Sequence, residues 1–108
     1  MTSQRQDKIR GLLRELAAKF FVREAGGRSL MTITDATVSP DLKRATIYFT
    51  TFPESEQERA LEFAKRKRTE LRDFIGAHAK LRSLPVFEIK IDEGERNRQR
   101  IDELLSQG

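Results

Sequence analysis

The chain has 108 residues, 37% of them apolar, 35% charged, and none of them cysteine. That length supports one domain with a modest core, and the absence of cysteine excludes disulfides and thiolate chemistry and fits a reducing cytoplasm. Twenty-one Lys and Arg against 17 Asp and Glu leave a net charge of +4, which favours a polyanionic partner.

No apolar stretch near the start has the form of a secretory signal, and the apolar patch Leu16 to Val22, interrupted by Lys19, is too short to span a bilayer. Ser3 and Gln6 have capping-box spacing. Ile9, Leu12, Leu13, Leu16, Ala17, Phe20 and Phe21 then follow the amphipathic pattern of a first helix, which Gly26-Gly27 stops. Its charges, Arg5, Lys8, Arg10, Arg14, Lys19 and Arg23, are read as a solvated surface.

Leu30 to Ser39 is Thr-rich and strand-like. Ser39-Pro40-Asp41 is turn chemistry, and Leu42 to Phe52 alternates as a second strand, which predicts an antiparallel hairpin. Ser55 and Glu58 again have capping-box spacing and open a helix whose inner side is Ala60, Leu61 and Ala64. Leu71, Phe74, Ile75 and His78 continue with helical spacing. On one unbroken helix, at about 100° per residue, Lys67 falls inside the apolar arc, so the spacing predicts a break near Arg68-Thr69. Pro85 ends the helical option, and Phe87, Ile89 and Ile91 alternate with Glu88, Lys90 and Asp92 as a third strand. Glu93-Gly94 reads as a turn. Ile101, Leu104 and Leu105 suggest a short last helix, expected to be frayed or partner-dependent because Arg96, Arg98 and Arg100 stand near its positive end. The expected fold is α+β, in the order α-β-β-α-α-β: three strands packed on helices, one domain over residues 1–108 with residues 93–108 as a helical tail.

Two stretches carry a family resemblance. Ser39-Pro40-Asp41-Leu42-Lys43-Arg44-Ala45-Thr46-Ile47-Tyr48-Phe49-Thr50 resembles the hairpin signature Ser-x-Asp-Leu-x-x-Ala-x-Val-Tyr-Val-Ser/Thr of the ribosome-binding factor A family. Leu81-Arg82-Ser83-Leu84-Pro85-Val86-Phe87-Glu88-Ile89-Lys90-Ile91-Asp92 resembles its second signature, Leu-Arg-x-x-Pro-x-Leu-x-Phe-x-x-Asp, and Gly94 with Ile101 to Leu105 resembles its closing segment. The resemblance implies a type II KH-like fold without the Gly-x-x-Gly loop. It also implies a non-enzymatic factor that binds the small (30S) ribosomal subunit and its 16S rRNA. Such a factor acts in late maturation, at the 5′ end of the RNA, and matters most in the cold. It implies no cofactor, metal, small-molecule substrate or membrane partner. Where the family usually carries Ala-x-Gly between its middle helices, this chain has Lys67-Arg68-Thr69, so a bend has to come from the pattern mismatch at Lys67 and the β-branched Thr69.

The sequence holds no Gly-x-x-Gly, RRM-type aromatic motif, paired Cys/His spacing, nucleophile elbow or phosphate-cradling Gly loop. Glu54, Glu56, Glu58 and Glu62 suit a helix start better than paired-carboxylate catalysis. The candidate RNA-binding residues are basic: Lys65, Arg66, Lys67, Arg68, Arg72, Lys80 and Arg82, with Gly76 able to admit a phosphate backbone. Projected on one helix, Lys65, Arg68, Arg72 and Lys80 share an arc of about 120°. His78 is expected to be packed and hydrogen-bonded, Tyr48 to cover the sheet, and Asp92 to cap the following turn. A general KH-like RNA-binding module, or a protein adaptor using an open sheet edge or the last helix, are the alternatives. A monomer is expected, since no coiled-coil pattern occurs.

Overall fold

A computed structural model describes residues 4–25 and 30–107. Helix α1 (Gln4–Ala25) precedes β1 (Leu30–Val38) and β2 (Arg44–Phe52). A 3-10 turn (Glu54–Glu56) leads to α2 (Gln57–Arg66), α3 (Arg68–His78), β3 (Val86–Ile91) and α4 (Glu93–Gln107). The sheet order is β1-β2-β3, antiparallel between β1 and β2 and parallel between β2 and β3. The order α-β-β-α-α-β read from the sequence is the order found.

The core lies between the sheet and one layer of helices. Leu13, Leu16, Ala17, Phe20 and Phe21 of α1 are buried, as their helical spacing requires, and Ile9 and Leu12 are half-buried. They meet Ile33 and Ala36 of β1, Ala45, Ile47 and Phe49 of β2, Phe87 and Ile89 of β3, and Leu71 and Ile75 of α3. Each large side chain fully removed from water contributes about 1.5–3 kcal/mol. Phe20 and Phe21 meet edge to face, with ring centroids 5.0 Å apart. Of the caps expected on α1, Ser3 and Gly26-Gly27 lie outside the described residues. Gln6 is buried, and its Nε2 donates to the Val38 carbonyl at 3.3 Å.

That bond belongs to a second device. β1 is an edge strand, whose outward carbonyls could pair with another chain. Arg10 Nε donates to the Ala36 carbonyl at 2.8 Å, and its Nη2 reaches Asp35 Oδ1 at 3.3 Å. Side chains of α1 thus cover the edge at Ala36 and Val38, so Arg10 is a tether rather than a solvated charge. A bulge lies between Ile33 and Asp35, where the register shifts by one. It lets both Ile33 and Ala36 face the core although three positions separate them.

β2 begins at Arg44, not at Leu42. The five residues from Ser39 to Lys43 form a self-bonded loop. The Leu42 N–H donates to the Ser39 carbonyl at 2.9 Å, the Arg44 N–H to Ser39 Oγ at 3.0 Å, and the Lys43 N–H to Asp41 Oδ1 at 3.1 Å. Ser39 Oγ donates to Asp41 Oδ1 at 2.6 Å. Leu42 is left at φ 61, the left-handed region, which costs a non-glycine residue about 1–2 kcal/mol. The loop's hydrogen bonds hold it there. They also hold the Asp41 carboxyl below its ordinary range, chiefly through Ser39 and then the Lys43 N–H. A lowered folded-state pKa means this support is complete above the ordinary carboxylate range and is lost as pH falls through the folded value.

The capping box expected at Ser55 and Glu58 does not form. A 3-10 turn precedes α2, and Glu56, the residue before the helix, caps nothing with its side chain. Glu93-Gly94 is not a separate turn but the first turn of α4. Asp92 caps that helix, as expected: its Oδ1 accepts from the Glu95 N–H at 3.0 Å, and its Oδ2 accepts from the Thr34 hydroxyl at the bulge. The three arginines do not fray α4. Arg96 pairs with Glu93, Arg98 with Glu95, and Arg100 with Glu54, so each cation has a carboxylate to offset the helix dipole.

Replacing Ser39 with Ala should lower the unfolding free energy by about 1 kcal/mol in chemical denaturation. It should also raise the Asp41 pKa toward its ordinary value in an NMR titration. An unchanged Asp41 titration would show that the loop bonds do not hold its charge.

Candidate nucleic-acid interface

The segment from Lys65 to Arg82 contains seven Lys or Arg and two carboxylates, Glu70 and Asp73. It therefore carries +5, more than the +4 of the whole chain, and the remainder is close to neutral. The fold bends this segment. α2 ends at Arg66, α3 starts at Arg68, and Lys67 between them sits at φ −90, ψ 4. The break expected near Arg68-Thr69 thus falls one residue earlier, on the residue that caused the mismatch. Neither Gly nor Pro makes it. The bend takes Lys67 out of the apolar arc and leaves it half-buried. Its Nζ lies 3.1 Å from Glu70 and 3.9 Å from Glu24, and 6.0 Å from the centre of the Phe63 ring. A half-buried ammonium is tolerated because it is paired.

This position changes Lys67's role. It ties the end of α1 to the bend and is the one cation of the segment held by carboxylates among the described residues. Lys65, Arg66, Arg68, Arg72, Lys80 and Arg82 are exposed and have no carboxylate within 4.0 Å among the described residues. In α4, by contrast, Arg96, Arg98 and Arg100 are all paired.

The single-helix projection fails at both ends. The bend separates Lys65 from Arg68 and Arg72, and α3 stops at His78, so Lys80 leaves on extended backbone after Ala79. Lys65 and Arg68 still come together, on the wall of an open groove of about 530 Å³ between the helix bend and β3. Leu61, Ile89 and Ile91 form its apolar floor, and Glu88, Lys90 and Glu93 line the opposite side. β3 has no strand on its outer side among the described residues. Arg72 is one turn beyond Arg68. Arg82 is in a different place, at a smaller cavity beside the hairpin loop with Arg5. Lys90 and Arg5 were missed as site residues by sequence reasoning. Lys90 is half of a Glu88–Lys90 pair, at 3.6 Å, on an alternating strand. Only the parallel register places it opposite the bend.

Gly76 does not leave an empty gap for a phosphate. A Cβ at this position would lie 2.9 Å from Leu84 Cδ1, so the space belongs to the Leu81–Pro85 joint, which packs back on α3. His78 is exposed rather than enclosed. Its Nδ1 is 2.8 Å from the Phe74 carbonyl, and its ring stacks on Phe74 with centroids 4.2 Å apart. Tyr48 is half-buried between the inward-facing Ile47 and Phe49 and so faces the other side of the sheet. Among the described residues, no three His, Cys, Asp or Glu are grouped to hold a metal ion, and no helix is long and apolar enough to cross a membrane.

An α-β-β-α-α-β domain with a cationic bend between its two middle helices, beside an edge strand, is a KH-like domain of the type lacking a glycine loop. The chain belongs to the ribosome-binding factor A family, whose sequence model matches residues 5–105. A ribosome-binding factor A of Magnetococcus marinus is 32% identical over 108 residues, which cover 94% of this chain and 86% of the relative. That of Paenarthrobacter aurescens is 37% identical over 98 residues, 81% of this chain and 57% of the relative. In fold, the chain is similar to the crystal structure of ribosome-binding factor A from Thermus thermophilus, with a TM-score of 0.70 and 22% identity over 78% of this chain and 92% of that one. It is also similar to a Thermus thermophilus homology model fitted into the cryo-EM map of a 30S complex, with a TM-score of 0.60 and 20% identity over 82% and 91% of the two chains.

Two substitutions separate packing from contact. Gly76→Ala gains up to about 1 kcal/mol of helix propensity and must move only the flexible end of Leu84. Stability by thermal melt should therefore stay within about 1 kcal/mol of wild type. Lys67→Ala should cost about 1 kcal/mol or less. It should also change affinity for RNA at matched salt far less than Arg68→Ala does. A larger loss of binding from Lys67 than from Arg68 would return Lys67 to the contact surface.

Proposed function

We propose that this protein is a non-enzymatic assembly factor that binds the small ribosomal subunit during late maturation. The observation that carries the reading is the set of unpaired cations between Lys65 and Arg82, in a chain of this family. Lys65, Arg66, Arg68 and Arg72 surround the helix bend, and Lys80 and Arg82 follow α3 toward the hairpin. Their guanidinium and ammonium groups suit phosphates, which fix position without reading sequence. Specificity then comes from the shape of folded 16S rRNA, with the 5′-end region as the proposed target and the cold, where RNA misfolds persist, as the condition of greatest need. The proposed setting is the cytoplasm and the proposed form a monomer, working without cofactor or metal. Such a binder shifts an RNA equilibrium only by its differential affinity for the two states. Preference for immature over mature subunits is therefore the defining property. A general RNA-binding module would lack that preference.

The test is binding to purified immature and mature subunits across a salt series, for wild type and for Lys65/Arg68/Arg72/Lys80→Ala. Wild type should prefer immature subunits and lose affinity steeply with salt. The quadruple variant should bind at least about tenfold more weakly, with the slope of log K against log salt reduced by about three, as expected when cations that displace counterions are removed. Equal affinity for both subunits and for unrelated RNA would leave only a general RNA-binding module. Binding unaffected by the substitutions would move the interface away from the bend.

A further inference from the structure

We propose that the cavity between the hairpin loop and the Leu81–Pro85 joint receives one unstacked nucleotide of single-stranded RNA, with its base inside and its phosphate at the rim. The cavity has about 220 Å³ of space, several times the roughly 30 Å³ share of a water molecule, and it opens to solvent. It is smaller than the roughly 300–1,000 Å³ of sites for drug-sized ligands, which suits a single planar base. Ile9, Val38, Leu42, Leu81 and Pro85 supply apolar walls from α1, the end of β1, the loop and the joint. The two stretches that carried the family resemblance, far apart in sequence, meet here.

The walls are fixed independently of any ligand. Leu42 is held in its left-handed conformation by the loop bonds of Ser39 and Asp41. The Val86 N–H donates to the Lys43 carbonyl at 2.9 Å, tying loop to joint, and Leu84 anchors the joint against Gly76. Strained backbone in a cavity wall is a feature of binding sites. At the rim stand Arg5 and Arg82, both exposed and both without a carboxylate partner among the described residues. Asp41 also borders the cavity, but its Oδ1 already accepts from Ser39 and Lys43. Apolar walls beneath two free guanidinium groups match the two parts of a nucleotide: an unstacked base with two apolar faces, and a phosphate that accepts from Arg. The inference rests on the RNA-binding reading but uses a surface separate from the groove at the helix bend, with Arg82 the one sequence candidate that lines it.

The probe is a single-stranded RNA hexamer, compared with an abasic hexamer of the same backbone at the same salt. Anisotropy gives affinity, and methyl NMR reports on Ile9, Val38 and Leu81. The base-bearing hexamer should bind about tenfold more tightly, the range of one stacked base, and shift those methyls. Ser83→Trp, at an exposed position lining the cavity, should fill it and bring the hexamer down to abasic affinity. Arg5→Ala should weaken both ligands. Equal affinity for the two hexamers, or methyl shifts confined to other regions, would overturn the inference. So would methyl shifts produced by an acidic, apolar peptide and not by RNA, which would give the cavity to a protein partner. A hexamer that discriminates while immature subunits fail to bind would overturn the assembly reading alone.

Discussion

A parallel pair of strands cannot be joined by a turn, and the rest of this structure depends on that constraint. β2 runs from Arg44 and β3 runs beside it in the same direction, with Arg44 opposite Val86 and Phe49 opposite Ile91. The chain leaving β2 at Phe52 must therefore travel back along the sheet before β3 can begin. α2 and α3 are that return path. Their inner sides, Ala60 and Ala64, then Leu71 and Ile75, are buried in the core the strands define. The bend and its cations are thus placed beside the outer edge of β3 by the strand pairing. Without the parallel register, Lys65 and Arg68 would have no groove to line.

α1 has a different task. It covers one face with Phe20 and Phe21 and closes the opposite edge by donating Gln6 and Arg10 to carbonyls of β1. The bulge at Thr34 serves both ends of this arrangement. It resets the strand so that Ile33 and Ala36 both point inward, and the Thr34 hydroxyl bonds Asp92, which caps α4. One extra residue in an edge strand therefore links the packing of α1 to the orientation of the last helix. The adaptor alternative that relied on an open sheet edge loses that edge at Ala36 and Val38. β3 remains the uncovered side, and it lies beside the basic bend.

Periodicity made the element order legible, because α1, α2, α3 and the strands each have one buried face and so one clear spacing, whereas α4 leaves Ile101, Leu104 and Leu105 exposed. Lys67 was the informative exception. Its position in an apolar arc signalled a break, and the chain breaks on that residue. The features that sequence reasoning missed depend on partners remote in the chain. Arg100 is neutralised by Glu54, 46 residues away, so the expectation of a frayed tail, drawn from the helix dipole alone, fails. Gly76 reads as an opening until Leu84 is seen to fill it. Lys80 reads as helical until Ala79 is found extended. Ser55 has the right spacing for a cap, but a preceding 3-10 turn gives the first α-helical turn another start. The bulge did leave a signal. Met31, Ile33, Ala36 and Val38 are spaced by two, three and two, and the odd step marks the extra residue.

The distribution of ion pairs bears directly on function. A chain with 35% charged residues could pair nearly all of them on its surface, and α4 does so with Glu93, Glu95 and Glu54. Surface pairs contribute little to stability, about 0–1 kcal/mol each, so their presence or absence is almost free to vary for other reasons. Between Lys65 and Arg82, the two carboxylates available are Glu70 and Asp73. Glu70 is taken by Lys67, and Asp73 takes no cation within 4.0 Å among the described residues. Like charges crowded on adjacent turns repel one another, which costs the free protein some stability. That cost is recovered when a polyanion binds, because phosphates then screen the cations from each other and release condensed counterions. The groove's own carboxylates are already engaged, Glu88 by Lys90 and Glu93 by Arg96, so they leave the charge of Lys65 and Arg68 unopposed there. Unpaired cations on the helix side and paired charges on the strand side thus give the groove a positive sign.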